Sequence, residues 1–92
     1  MTLDMLEVGE IGEVIDIEKS SSLYQRFLDI GIIKNTKLEC VMRSFGDDPK
    51  AYLIRGTTIA IRNDDAKAIK IIKEDEPSYE EWYYKSWLGW QS

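Results

Sequence analysis

Residues 23–36, reading LYQRFLDIGIIKNT, constrain the fold more than any other stretch of this chain. They predict a short amphipathic helix, a left-handed stop, a tight turn and entry into a strand. Leu23, Phe27, Leu28 and Ile30 fall on one side of the helix, and Arg26 and Asp29 point away from it. Ser20, Ser21 and Ser22 precede it, and each offers a hydroxyl that can accept from its free N–H groups. Gly31 stands where a helix ends in a left-handed residue, because only glycine enters that region without a Cβ penalty. Asn35 is the next best residue for such a conformation and marks the following turn. The plain physical reading is a helix plugging one end of a small β-domain.

The rest of the chain supplies that domain. Leu3, Met5, Leu6 and Val8 form an apolar lead-in expected to pack on the core. Gly9 and Gly12 bracket a turn, and the β-branched run after Gly12 predicts a strand. From Thr36 the pattern has period two, with Leu38, Cys40 and Met42 on the apolar side. Residues 44–49 (SFGDDP) are dense in turn formers and read as a loop. Residues 51–55 and 58–62 then form a hairpin about a turn at Gly56-Thr57. Asn63-Asp64-Asp65-Ala66 reads as one helical turn, with Asn63 as its cap and two aspartates at its positive end. Residues 68–73 form the last strand. Five short antiparallel strands in so small a chain predict a mainly β fold, a partly open barrel that hides its edges.

At residue 74 the composition changes. Residues 1–73 hold 12 acids and 11 bases, whereas residues 74–92 hold five acids and one base, so the net charge of −5 comes mostly from the tail. We therefore expect a domain over residues 1–73 and, over residues 74–92, an acidic linker followed by an amphipathic helix. Ser78-Tyr79-Glu80-Glu81 matches a capping box. Tyr79, Trp82, Tyr83, Trp87 and Trp90 share one stripe of that helix, opposite Glu80, Glu81 and Lys85. A patch of this kind needs a cover. It can fold back on its own barrel, pack on another copy to make a homo-oligomer, or enter a groove or membrane interface of a partner.

Several functions are disfavoured. The chain has no histidine, so the usual general base at neutral pH is missing and no Ser or Cys nucleophile has a His partner. Asp47-Asp48 and Asp64-Asp65 are adjacent carboxylates, each explained by turn and cap preferences. Gly9 and Gly12 lack the spacing of a phosphate loop. The lone Cys40 reads as a small buried hydrophobe, and one cysteine fits a reducing, cytoplasmic compartment. Nothing resembles the basic footprint of a nucleic-acid binder. No apolar run approaches the length of a membrane-spanning helix, about 20 residues, and no secretion signal opens the chain.

Order and spacing of short motifs resemble the FeoA family, small cytosolic proteins of bacterial ferrous iron uptake. Gly9 with Gly12-Glu13-Val14 resembles the family's opening Gly-x-x-Gly-x-Val. Arg26-Phe27-Leu28-Asp29-Ile30-Gly31-Ile32 resembles its helix end, and Gly46-Asp47-Asp48-Pro49 its Gly-Asp-Pro loop with one extra Asp. Gly56 with Ile59-Ala60-Ile61-Arg62, and Ala66 with Ile69, complete the match. Lys34-Asn35 stands where the family has Pro-Gly. The resemblance implies an SH3-like barrel with no catalysis and no resident cofactor, although Fe2+ is a candidate visiting ion. It implies an adaptor or regulator of the FeoB-type transporter, a membrane protein with a GTP-binding domain, met through its cytosolic part. Related barrels end iron-dependent repressors, but no DNA-binding helical domain precedes this one. We expect the partner surface among exposed residues of the helix and its turn (Tyr24, Arg26, Lys34) and of the long loop (Phe45, Asp47, Asp48). A metal-responsive domain binding Fe2+ or Mn2+ at acidic loop residues, and a generic SH3-like protein-interaction module, are the alternatives.

Overall fold

The computed structural model describes residues 1–74. A single turn of 3-10 helix (Leu3–Met5) leads into β1 (Ile11–Ile17), α1 (Tyr24–Asp29), β2 (Lys37–Arg43), β3 (Lys50–Ile54), β4 (Thr57–Ile61), α2 (Asn63–Ala66) and β5 (Ile69–Lys73). The strands make one antiparallel sheet in the order β4-β3-β2-β1-β5. Among the described residues there are thus five strands, one short helix and one helical turn, in an open sheet whose outer strands are β4 and β5, with Thr2 bridging Lys70 on the outer side of β5. The tail helix expected beyond residue 74, with Tyr79, Trp82, Tyr83, Trp87 and Trp90, lies outside the described residues.

The helix–turn–strand stretch forms as its residues dictate. Phe27 is buried, and Leu23, Leu28 and Ile30 pack half-buried against the core. Gly31 takes φ +97° and Asn35 φ +74°, both left-handed. The turn is tied by buried Thr36, whose Oγ1 donates to the Gly31 carbonyl at 3.2 Å and accepts from the Ile33 N–H at 3.3 Å. Asn35 N–H donates to the Val14 carbonyl at 2.7 Å, and Val14 N–H to the Thr36 carbonyl at 2.9 Å, so the turn runs straight into the β1–β2 pairing. None of the three serines caps the helix: Leu23 stands at the cap position without a side-chain cap bond, and Ser21 Oγ accepts instead from the Leu23 N–H at 3.2 Å, in the turn before the helix.

Two irregularities in the sheet decide which side chains face inward. The β1–β5 register shifts between Val14 and Asp16, and the β2–β3 register shifts between Cys40 and Met42. Each is a bulge with one extra residue on the inner strand. In β1 this lets Val14 and Ile17 both point into the core while Asp16 stays in water. In β2 the period-two pattern holds through Leu38 and Cys40, both buried. Met42, read from the sequence as apolar-side, is instead 62% exposed, because Val41 and Met42 together oppose Ala51.

The core gathers Leu3, Leu6, Val14, Ile32, Leu38, Cys40, Tyr52, Ile54, Ile69 and Ile71. The lead-in divides: Leu3 and Leu6 are fully buried, whereas Met5 and Val8 are exposed. A 3-10 turn places neighbouring side chains on different sides, so only part of the run reaches the core. Tyr52 donates from its buried hydroxyl to the Leu3 carbonyl at 3.3 Å, which ties the lead-in to β3. Its burial pushes the phenol well above its usual range, and burial likewise pushes the Cys40 thiol up. Lys73 of β5 hydrogen-bonds Glu10 before β1, and that bond holds the Glu10 carboxyl below its usual range.

The β3–β4 hairpin turns at Arg55-Gly56, one residue earlier than the sequence suggests. Both central residues have positive φ, +50° and +81°, and that turn type matches the twist of the flanking strands with glycine in the second place.

Candidate functional site

A cleft of about 310 Å³ lies between α1 and the edge strand β4. Leu23, Phe27 and Ile30 form its helix wall, and Ile59, Ala60 and Ile61 its strand wall. Arg26 of α1 and Arg62 after β4 stand at its mouth with Asp65 of α2. The arginines are exposed and Asp65 is half-buried. The helix needs Phe27 in the core, so the neighbouring Arg26 is turned outward at the cleft rim. On the other wall β4 has, among the described residues, one sheet partner, β3. Chemically this is an apolar floor with two guanidinium groups above it and a strand edge beside it. It suits a peptide or loop with apolar anchors and a carboxylate, since arginine binds carboxylates through a fixed fork of donors.

The long β2–β3 loop reaches the same corner. Asn63, the first residue of α2, donates from its side-chain amide to the Asp47 carbonyl at 2.9 Å. Its backbone N–H donates to the Asp48 carboxylate at 3.0 Å. Asn63 is therefore not the cap of α2. The residue before it, Arg62, makes no side-chain cap bond, and Asp48 from the loop satisfies the free N–H instead. Asp47 also pairs with Arg43 at 3.3 Å across an exposed surface. The loop is closed at its base by Ser44, whose Oγ donates to the Pro49 carbonyl at 2.8 Å. Phe45 projects from it fully exposed.

The expected partner residues thus separate by position. Arg26 lines the cleft. Asp47 and Asp48 lock the loop onto Asn63, next to Arg62 of the cleft. Phe45 is the exposed apolar group of that loop. Lys34 is exposed in the turn after Gly31 and does not line the cleft. Tyr24 packs half-buried against the core, so its ring belongs largely to the fold. Ile59, Ala60, Arg62 and Asp65 were not legible as site residues, because nothing local to them says that β4 ends the sheet. Among the described residues no group of three or more His, Cys, Asp or Glu side chains is placed to hold a metal ion. None of the described helices is long and apolar enough to cross a membrane.

The FeoA domain model matches residues 1–73. This chain belongs to the FeoA family. Among solved structures it is similar to a FeoA-like protein from Clostridium acetobutylicum, at 26% identity and TM-score 0.77, over 83% of this chain and 88% of that one. It is similar in fold to Stenotrophomonas maltophilia FeoA complexed with zinc, at 21% identity and TM-score 0.72, over 80% of this chain and 95% of that one. The latter is described as a procaryotic SH3 domain protein and a candidate activating factor of bacterial ferrous iron transport. A manganese-dependent transcriptional repressor shares the fold at 22% identity and TM-score 0.72, over 79% of this chain and 40% of the repressor. No curated protein matches the sequence. This FeoA-family chain departs from its motifs at Lys34-Asn35, and the φ of +74° at Asn35 shows the left-handed turn kept without glycine.

Proposed function

We propose that this FeoA-family chain is a non-enzymatic, cytoplasmic accessory protein of ferrous iron uptake that docks on the cytosolic part of a FeoB-type GTP-binding transporter. The observation that carries the docking mode is the α1–β4 cleft, with apolar walls under Arg26 and Arg62 at the edge of the sheet. Phe45, on the loop latched beside Arg62, extends that surface. The reading of the domain as an SH3-like barrel draws support from the fold it shares with the zinc-complexed relative. The bulges in β1 and β2 support it too, since such kinks bend and twist strands. The absence of histidine from the sequence supports a role without acid–base catalysis.

Calorimetric titration of the full chain into the transporter's GTP-binding domain tests the proposal. Saturable heat is expected. Arg26→Glu with Arg62→Glu reverses both charges at the cleft mouth and is expected to weaken binding at least about tenfold, given that a charge-assisted hydrogen bond contributes about 1.5–3 kcal/mol. Absence of any heat at high micromolar concentration overturns docking on that domain. Binding that both reversals leave untouched moves it away from the cleft.

A further inference from the structure

The outer face of the sheet carries apolar side chains that nothing in residues 1–74 covers. Ile11 and Leu53 lie in one row of that face, each paired with Glu39 between them. Ile72 lies in the next row, paired with Glu13. Leu53 is 38% exposed and Ile72 59% exposed. Two adjoining grooves run here, one of about 400 Å³ past Ile11 and Leu53, the other of about 180 Å³ past Ile72.

Glu74 lines both grooves. It is also where the described chain stops, and it is anchored there. Its N–H donates to the Ile11 carbonyl at 2.7 Å, and its carboxylate pairs with Lys37 at 3.3 Å. The remaining 18 residues therefore leave the domain from the wall of the grooves themselves. Those residues hold all three tryptophans of the protein, on the same predicted stripe as Tyr79 and Tyr83. Read as a helix, residues 78–88 are about 16 Å long. The three spacings from β5 across β1 and β2 to β3 measure about 14 Å. Lys37 and Arg55 line these grooves together with Glu13, Glu39 and Glu74, so apolar contact and not net charge carries the argument.

We propose that residues 75–92 of the same chain dock in these grooves, with Trp82 and Trp87 laid over Leu53 and Ile72. The tail is then a built-in cover for the outer face, and it leaves the α1–β4 cleft open. The inference rests on the exit point of the chain and the uncovered apolar row, and it stands whether or not the protein serves iron transport.

All tryptophan fluorescence comes from the tail, so emission of the full chain reports docking directly. The expected result is blue-shifted emission protected from acrylamide, at the mass of a monomer in light scattering. Leu53→Lys with Ile72→Lys should shift emission to that of solvated indole, since both side chains already face water and the core is untouched. Solvated emission in the unsubstituted chain overturns the proposal, as does blue emission that survives both lysines. A dimer whose blue emission disappears on dilution also overturns it, by placing the tail on a second copy. Methyl NMR of the unsubstituted full chain gives an independent reading. Leu53 and Ile72 methyls should show upfield ring-current shifts that vanish in Trp82→Ala with Trp87→Ala, and unshifted methyls overturn the proposal.

Discussion

At Gly31 the backbone leaves α1 with φ +97°, and a Cβ built there would meet Arg55 Cδ at 3.1 Å. The Arg55 side chain is flexible and can give way, so the backbone term dominates. Gly31→Ala should cost about 1–2 kcal/mol, the penalty for a non-glycine residue in the left-handed region. In a domain of this size each kcal/mol lowers the melting temperature by about 4–8 °C, a shift that circular dichroism resolves. Tyr52 is constrained by solvation instead. Its phenol is buried and its ionisation is pushed up, first by burial. The unfolded chain gives up this proton near its ordinary value of 10.0, whereas the folded chain keeps it. Stability from this group is therefore complete below about pH 10 and falls as pH rises, by up to about 1.4 kcal/mol per pH unit. Tyr52→Phe loses the bond to Leu3, so it should be less stable at neutral pH by about 0.5–1.5 kcal/mol. It should also lose less stability than the parent between neutral and strongly alkaline pH, measured by urea unfolding across that range.

At the scale of elements, the bulges explain where sequence patterning succeeds and where it stops. Helix α1, its glycine stop and the Asn35 turn are local, and each was readable from neighbouring residues. So were the identities of all five strands. The bulges are not local. Val41-Met42 carries no turn signal, and its bulge exists only because β3 supplies one residue opposite two. The same holds for the Asp48–Asn63 latch, whose partners lie 15 residues apart. The cleft could not be read for a related reason, since strand order is a property of the whole sheet. The β1 bulge makes a test. Strict alternation from Val14 would bury residue 16 and expose residue 17, whereas Ile17 is buried and Asp16 is exposed. Ile17→Asp should cost about 3–5 kcal/mol through an unpaired buried charge. Asp16→Val should cost less, about 0.5–1.5 kcal/mol, the loss of the bond that the Asp16 carboxylate accepts from the Ile17 N–H at 2.9 Å. Equal costs at the two positions in equilibrium urea unfolding would mean that the bulge is misplaced.

For the whole molecule, the fold and the proposed docking surface meet on α1, where adjacent residues face opposite ways. Phe27 fills the core beneath the helix, and Arg26 stands at the mouth of the cleft above it. A domain of this length has a stability of about 0.05–0.15 kcal/mol per residue. Truncating a buried phenylalanine costs about 3–5 kcal/mol, a large fraction of that total. Phe27→Ala should therefore leave much of the protein unfolded at 37 °C or close to it, an outcome that thermal denaturation reads directly, and any loss of binding with it carries no information about the cleft. Arg26→Glu removes no buried contact and no described hydrogen bond, so its melting temperature should match the parent. If it binds the transporter domain as well as the parent does, the rim of the cleft is not the docking surface. If it melts normally and binds weakly, the role of Arg26 is separated from the fold that presents it. The pair is informative because the helix is too short to bury one face without presenting the other: in six residues, the turn that drives Phe27 inward fixes Arg26 at the rim.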